Sequence, residues 1–370
     1  MRIGLVGGAS GGHFYPLMAV AVELNNAAEQ PRLYYFGPTP YNAESLKTHN
    51  VEHVYCPAGK LRRDFSLQNV LDIFRNFFGL FVAIWQLYKI YPDVIFSKGG
   101  YTAVPILIAA RLLMIPVVIH ESDTTPGRAN QMAAKFAKYI AVSYDDAAKF
   151  FPAEKTALTG IPLRAELKTA IADPFAALGI PHDKPLIYVT GGSQGADRLN
   201  QIILRSLTDF LPHYRIFHQV GESNIEQMRQ TAKGLLQGTD FADSYYLEGH
   251  ISANQVSALL KAASIVITRA GSTTLFEIAY HGKPSIVVPI PEDVSRDQRT
   301  NAYTYARGGA ATVIEELNLT PHLLAQEINT IMTSPEKQTQ MAAAAQALFI
   351  PDAAQKLAAS LISIGTEHGS

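Results

Sequence analysis

Ile3-Gly4-Leu5-Val6-Gly7-Gly8-Ala9-Ser10-Gly11-Gly12-His13 is the stretch whose reading decides the fold. Its first residues form a short apolar run of strand type, and the glycines that follow break that run and lead into a helical pattern at Leu17–Leu24, with Pro16 placed in a first turn. A strand that ends in glycines and feeds a helix is the opening of a βα unit. The glycines let main-chain N–H groups approach a ligand closely, and the helix N-terminus adds positive potential, so the loop suits an anionic group such as a diphosphate. No Gly-Lys-Ser/Thr follows, which excludes a P-loop, and the spacing is not the dinucleotide Gly-x-Gly-x-x-Gly. His13, at the exit of the loop, is a candidate general base because a neutral imidazole is well populated near pH 7; its plain alternative is a helix-start residue.

The βα rhythm continues outward from this stretch. Strand-like runs at Leu33–Phe36, Asp93–Ser97, Pro116–His120 and Tyr139–Ser143 alternate with helix-length segments such as Thr102–Leu113, which predicts a parallel sheet covered on both faces. The pattern weakens around Gly160–Pro185, where Pro162, Pro174, Pro181 and Pro185 cluster, and a linker is expected there. A second series then runs through Leu186–Thr190, Arg215–Val220, Ser244–Leu247, Ile265–Thr268, Ser285–Pro289 and Ala311–Ile314. The fold class is therefore α/β, with two doubly wound domains. Ligands of such sheets collect at the carboxyl ends of strands, which makes a cleft between the domains the expected site.

Composition agrees with this picture. In 370 residues the apolar share is 48% and the charged share 17%, which excludes a disordered chain and a highly charged nucleic-acid wrapper. The single Cys56 forms no internal disulfide or cysteine-built metal site, as suits a reducing compartment, and no charged leader with an apolar core precedes Ile3 as an export signal. Residues 1–162 hold 15 basic and 12 acidic side chains, and the remainder 16 and 20. A mildly basic front half suits a surface that meets anionic lipid or phosphate, although scatter of surface charge gives the same count.

Other strand ends repeat the chemistry of the first. Ser97-Lys98-Gly99-Gly100-Tyr101 is a second glycine turn, and His120-Glu121-Ser122-Asp123-Thr124-Thr125-Pro126-Gly127 is a polar cluster suited to a sugar or peptide, or to helix capping. In the second half, Gly191-Gly192-Ser193-Gln194-Gly195-Ala196 again offers main-chain donors. Thr268–Glu277 reads as strand, glycine turn and helix: Ser272, Thr273 and Thr274 are placed to cap the helix and to donate to a diphosphate, and Glu277, one turn inside, to accept from the hydroxyls of a ribose. Neither the histidine spacings nor the acidic pairs Asp145-Asp146 and Glu315-Glu316 form a ligand constellation, so no metal site and no cofactor are expected, and no Gly-x-Ser-x-Gly elbow indicates a serine hydrolase.

Asn76–Tyr88 departs from the pattern: 13 residues without a charge, containing Phe77, Phe78, Leu80, Phe81, Val82, Ile84 and Trp85, flanked by Lys60, Arg62, Arg63, Arg75 and Lys89. It is too short to span a bilayer. Two readings stand, a buried helix of the first domain and a helix whose aromatic face dips into a membrane surface.

Seven motifs in order, Gly8–His13, Gly99–Tyr101, Ile115–Glu121, Gly160–Arg164, Gly191–Ala196, Arg269–Glu277 and Gln298–Ala302, resemble glycosyltransferase family 28 over nearly the whole chain, and within it the transferases that form lipid II. The resemblance implies the two-domain type B fold (GT-B), two Rossmann-like domains whose parallel sheets face a cleft. Residues 1–162, joined by a C-terminal helix at 349–370, would bind the acceptor and the membrane, and residues 163–348 the UDP-sugar. It implies an inverting transfer of N-acetylglucosamine from UDP-N-acetylglucosamine to the muramyl sugar of lipid I, a step of peptidoglycan synthesis, by a peripheral protein on the cytoplasmic side of the cell membrane. The implied partners are the anionic inner membrane face and other cell-wall synthesis proteins, with no nucleic acid.

Carried over residue by residue, His13 and Glu277 are catalytic. Donor contacts fall on Ser10, Gly11, Gly12, Arg164, Ser193, Gln194, the main chain of Ile251, Arg269, Gly271, Ser272, Thr273, Thr274, Glu277 and Gln298. Acceptor contacts fall on Gly11, Gly12, His13, Gly100, Tyr101, Asp123 and Asn130, and membrane contacts on Phe77, Phe78, Phe81 and Trp85. Ala9 and Ser10 replace the family's Gly-Thr, Asp123 stands where Asn is common, and Asp297 precedes Gln298 where His or Gln is usual. The acidic replacements leave open a sibling enzyme with another nucleotide sugar or lipid acceptor. An inactive nucleotide-sugar-binding scaffold is the reading from another class.

Overall fold

The computed structural model describes residues 1–8, 10–59, 67–192, 196–292 and 296–369. The chain divides into two units, Met1–Arg164 together with the segment from Ile350 onward, and Ala165–Phe349.

The first unit is built on seven parallel strands: β1 (Arg2–Val6), β2 (Arg32–Gly37), β3 (Val51–Tyr55), β4 (Val94–Ser97), β5 (Val117–Glu121), β6 (Tyr139–Val142) and β7 (Thr156–Leu158), in the spatial order β3-β2-β1-β4-β5-β6-β7. The five inner strands follow the apolar runs of the sequence. The edge strands β3 and β7 do not: only Val51 and Val54 of β3 are buried and none of β7 is, so neither carries the continuous apolar signal of a strand covered on both faces. The order reverses between β1 and β4, whose last residues Val6 and Ser97 are partners. The two front glycine turns therefore leave the sheet side by side at its topological switch point.

Helix Gly11–Asn26 begins directly after the first loop, so Pro16 lies in the helix interior instead of its first turn. Proline has no N–H to give the Gly12 carbonyl four residues back. Burial holds this helix in place: Leu17, Val20 and Leu24 share one core with Leu357, Leu361 and Ile364 of the returning helix Ala353–Gly369. A fully buried leucine contributes about 1.5–3 kcal/mol, enough to outweigh one lost hydrogen bond.

The second unit repeats the plan with β8 (Leu186–Thr190), β9 (Arg215–Gln219), β10 (Tyr245–Glu248), β11 (Ala263–Thr268), β12 (Ser285–Val287) and β13 (Ala311–Val313), all parallel, in the order β10-β9-β8-β11-β12-β13. Its switch point lies between β8 and β11, where Thr190 pairs with Thr268. The proline-rich segment is not a free linker beyond Arg164. Its short helices Ala165–Lys168 and Pro174–Leu178 pack on helix Ala253–Ala262 within the second unit.

Candidate active site

In the first unit three strand ends converge on His13. The ring is the third residue of helix Gly11–Asn26, and Ser10, the residue before the helix, meets its Nδ1 through Oγ at 2.9 Å. Gly100, at φ 85° and ψ 162°, lies against the first loop so closely that a Cβ there would stand 2.9 Å from Gly8 Cα and 3.7 Å from His13 Nε2. Only glycine adopts that conformation readily. Gly8 is tight against the same ring: its own Cβ would lie 3.1 Å from His13 Cγ. The Thr102 hydroxyl donates to the Gly7 carbonyl at 2.7 Å and ties the second turn to the first. Tyr101 opens a single 3₁₀ turn and remains part-exposed at the mouth of this arrangement.

Beneath it lies a cluster that joins residues of two motifs the sequence shows separately, the Ser97–Tyr101 turn and the polar run His120–Gly127. Lys98 is buried, and its Nζ approaches His120 Nδ1 at 2.6 Å and the Ser122 hydroxyl. His120 Nε2 faces the Gly160 carbonyl at 2.8 Å; a carbonyl only accepts, so Nε2 carries the proton and Nδ1 accepts from Lys98. Glu121, also buried, accepts from the main-chain N–H groups of Asp123 and Gly127 and from Asn130 Nδ2. Asn130 also donates to the His120 carbonyl, which fixes its amide with Nδ2 on the β5 side. Asn130 is thus buried among main-chain and carboxylate partners.

These contacts set the electrostatics. Burial, aided by the Lys98 ammonium and opposed by the Asp123 carboxylate, pulls the His13 imidazole down to about 4. Burial pushes Lys98 below and Glu121 above their usual ranges, and burial with the Lys98 charge keeps His120 neutral. The imidazole of His13 is therefore an unprotonated acceptor across the neutral pH range. At the end of the first segment of this unit Arg164 lays its guanidinium 4.5 Å over the ring of Tyr15.

The second unit offers the same geometry at its own switch point. Gly191 and Gly192 leave β8, with Gly192 N–H bonded to the Thr190 hydroxyl and that hydroxyl to Gln219 on β9. Ser193 and Gln194 lie outside the described residues. The neighbouring turn after β11 enters helix Ser272–His281, whose capping position is Gly271. Ser272, Thr273 and Thr274 are thus the first three helical residues and not the cap, because the chain turns at a residue without a side chain. Glu277 is buried on that helix and is not part of a solvated face.

Arg269 has a structural commitment: Nη1 donates to the carbonyls of Val288 and Pro289 and pairs with Glu316 at 2.7 Å. Gln298 Oε1 accepts from Ile290 N–H at 3.5 Å, on helix Arg296–Arg307. Ile251 is buried directly before helix Ala253–Ala262, which Ser252 and Gln255 close with a reciprocal capping box. Among the described residues no three of His, Cys, Asp and Glu are grouped as metal ligands.

The aromatic segment forms part of helix Leu67–Ile90, and its two faces divide cleanly. Ala83 and Leu87 are buried in the first unit, whereas Phe74, Phe77, Phe78, Phe81, Trp85 and Tyr88 are all more than half exposed. Their spacing of three and four residues puts them on one face. The buried-helix reading therefore holds for the opposite face only. Asn76 fixes the helix to the preceding loop by bonding both the N–H and the carbonyl of Gly59. Lys60, Arg62 and Arg63 lie outside the described residues; Arg75 and Lys89 are exposed on the helix.

Two parallel Rossmann-like sheets, each sending two glycine turns into helices from the strands flanking its switch point, define a chain of the GT-B fold class. Family models match on both units: the glycosyltransferase family 28 N-terminal domain over residues 3–142 and the family 28 C-terminal domain over residues 186–357. The chain belongs to glycosyltransferase family 28.

Its relatives include a Treponema denticola protein named UDP-N-acetylglucosamine–N-acetylmuramyl-(pentapeptide) pyrophosphoryl-undecaprenol N-acetylglucosamine transferase, 34% identical over 92% of each chain. A Bacillus cereus protein of the same name, numbered 2, is 34% identical over 90% of this chain and 92% of its own. The crystal structure of Acinetobacter baumannii MurG superposes with a TM-score of 0.73 at 26% identity, over 98% of this chain and 100% of that one. A UDP co-structure of S. aureus MnaA shares the fold, with a TM-score of 0.71 at 13% identity over 96% and 95%.

Proposed function

We propose that the protein transfers N-acetylglucosamine from UDP-N-acetylglucosamine to the muramyl sugar of lipid I, forming lipid II for peptidoglycan, with inversion at the anomeric carbon. The first unit binds the acceptor and the second the donor. In a direct displacement the acceptor hydroxyl attacks the anomeric carbon, its proton passes to a base, and the sugar–diphosphate bond breaks to release UDP. His13 is that base. The observation that carries the reading is a neutral imidazole, with Nδ1 engaged by Ser10, at the meeting point of the two front glycine turns, in a chain with full-length relatives named for this transfer.

Ordered N–H groups at the helix starts after β8 and β11, joined by Ser272, Thr273 and Thr274, stabilise the charge that grows on the leaving diphosphate without a metal ion. Ser193, Gln194, Gln298 and the main chain of Ile251 hold the nucleotide sugar, and Glu277 accepts from the ribose hydroxyls. Arg164 serves the anionic groups; Arg269 is committed to Glu316 and to the carbonyls of Val288 and Pro289. The exposed aromatic face of helix Leu67–Ile90 supports a peripheral position on the cytoplasmic membrane, where the lipid-linked acceptor is anchored.

A mass-resolved assay of lipid I with UDP-N-acetylglucosamine tests donor, acceptor and activity together. His13→Ala lowers turnover by about a hundredfold or more in folded protein. Near-wild-type turnover removes His13 from the role. Asp123, a carboxylate where the family commonly has an amide, favours a sibling specificity as the second reading; transfer from another UDP-sugar in preference to UDP-N-acetylglucosamine would establish it.

A further inference from the structure

Lys98 neither takes the proton nor binds substrate in this transfer, yet it is a buried cation whose charge acts on His13. It is fully enclosed at the end of β4, between two turns that both serve the acceptor half: its own, with Gly99, Gly100 and Tyr101, and the β5 turn with Ser122 and Asp123. We propose that Lys98 is a positioning residue of the acceptor site, tying these two turns together through Ser122 and, with Asp123 as its counter-charge, holding His13 in the unprotonated form that a base requires. The inference rests on His13 being the base.

Three observations carry it. The ammonium is anchored from below: His120 accepts from Lys98 because its other nitrogen is committed to the Gly160 carbonyl. It reaches across to Ser122, the residue before Asp123, and so links the β4 and β5 turns by side chain where the ladder of main-chain bonds has ended. The turn it leads into is the one packed on His13, with the Gly100 Cβ position 3.7 Å from Nε2. Burial is the largest influence on both His13 and Lys98; the charged groups that act on His13 beside it are Lys98 and Asp123, with opposite sign, while Glu121, Asp123 and His120 act on Lys98 itself. A lysine here places a positive charge where it opposes imidazole protonation, and an apolar side chain of similar length would leave the ring facing Asp123 alone.

The test reads two quantities. Histidine-labelled protein without substrate is titrated by NMR, the His13 signal being assigned by its loss in His13→Gln; in parallel, kcat and the KM for lipid I are measured. Lys98→Met should move the His13 midpoint up by about one pH unit or more and raise the lipid I KM several-fold, with the KM for UDP-N-acetylglucosamine unchanged. Ser122→Ala, which cuts the tie and keeps the charge, should raise the lipid I KM without moving His13. Asp123→Asn should move His13 down. If Lys98→Met does not fold, the latter two variants decide the matter.

An unmoved His13 midpoint in both Lys98→Met and Asp123→Asn, or in Asp123→Asn alone where Lys98→Met does not fold, overturns the proposal, as does an unchanged lipid I KM in Ser122→Ala. Because the titration needs no turnover, failure of wild-type protein to use lipid I sinks the transferase reading on its own and leaves the Lys98 result standing or falling separately.

Discussion

Gly100→Ala puts the meeting of the two front turns under direct strain. The native φ of 85° with ψ of 162° lies in a region held essentially by glycine alone, so alanine costs about 1–3 kcal/mol in the backbone itself. The new methyl would also stand 2.9 Å from Gly8 Cα and 3.2 Å from Gly8 N. Those are main-chain atoms, which cannot swing aside like the end of a side chain, and forced contact of this kind adds about 1–3 kcal/mol. Together the two effects destabilise the first unit by about 2–6 kcal/mol, which lowers its melting temperature by roughly 4–24 °C for a domain of this size.

If the strain is relieved by moving the turn, His13 shifts relative to the acceptor, and a displacement of about 1 Å is worth roughly a hundredfold in rate. The assay is calorimetry of the full chain beside lipid I transfer, with UDP binding followed by titration calorimetry. UDP affinity should stay within twofold of wild type, since Ser272, Thr273, Thr274 and Glu277, proposed to hold its diphosphate and ribose, lie in the second unit. Gly127→Ala is the control: its φ is −67°, nothing lies within 4 Å of the Cβ position, and stability should hold or rise by about 0.4–1 kcal/mol. A Gly100→Ala protein that melts and turns over like wild type would refute the argument that these turns are in contact.

Ser10→Ala removes the partner of His13 Nδ1 and should lower kcat about three- to tenfold, the worth of one hydrogen bond, with Ser10→Thr near wild type; equal kcat in all three dismisses the orienting role. Replacing Phe77, Phe81 and Trp85 together by Ser should reduce flotation with anionic liposomes by more than a hundredfold, at about 1.5–3 kcal/mol per aromatic ring withdrawn from lipid, while leaving the melting temperature unchanged because the rings are exposed; a large drop in melting temperature would assign them to the core.

His218, enclosed between Asn200 and Tyr245, is pulled by burial to about 3. Since the unfolded chain takes up its proton near 6.5 and the folded chain does not, its contribution is intact above about 6.5 and is lost as pH falls toward 3, reaching roughly 2–3 kcal/mol by pH 4.5. Guanidinium unfolding at pH 7.5 and 4.5 should show a smaller acid loss in His218→Gln than in wild type, and equal losses would contradict this.

How far the fold was legible follows from which signals are local. Strands β1, β4, β5, β8 and β11 are buried on both faces and announce themselves as apolar runs closed by glycine or polar turns. Edge strands such as β3, with Glu52, His53 and Tyr55 exposed, lack that mark. Pro16 differs from its expected first-turn place for a related reason: helix chemistry alone favours a start there, but packing on helix Ala353–Gly369, more than 300 residues away in sequence, carries the helix past it to start at Gly11. The aromatic segment was legible as apolar and uncharged. Which face of it is exposed depends on Ala83 and Leu87 meeting the core, and that needed the structure.

The site divides along the same line. A glycine turn feeding a helix is a local device, so all four could be read from the sequence, and their pairing follows once the strand order is known. Val6 pairs with Ser97 in one unit and Thr190 with Thr268 in the other, so both units form the same two-turn pocket at the switch point. What differs is what lies beside the pocket. In the first unit the next strand, β5, brings His120, Glu121 and Ser122 around Lys98, the residue after β4; in the second, Arg269, the residue after β11, is held by the carbonyls of Val288 and Pro289 beyond β12 and by the Glu316 carboxylate. That difference depends on the lateral order of β1, β4 and β5, joining residues 13, 98 and 120 across the sheet, and no spacing along the chain encodes it.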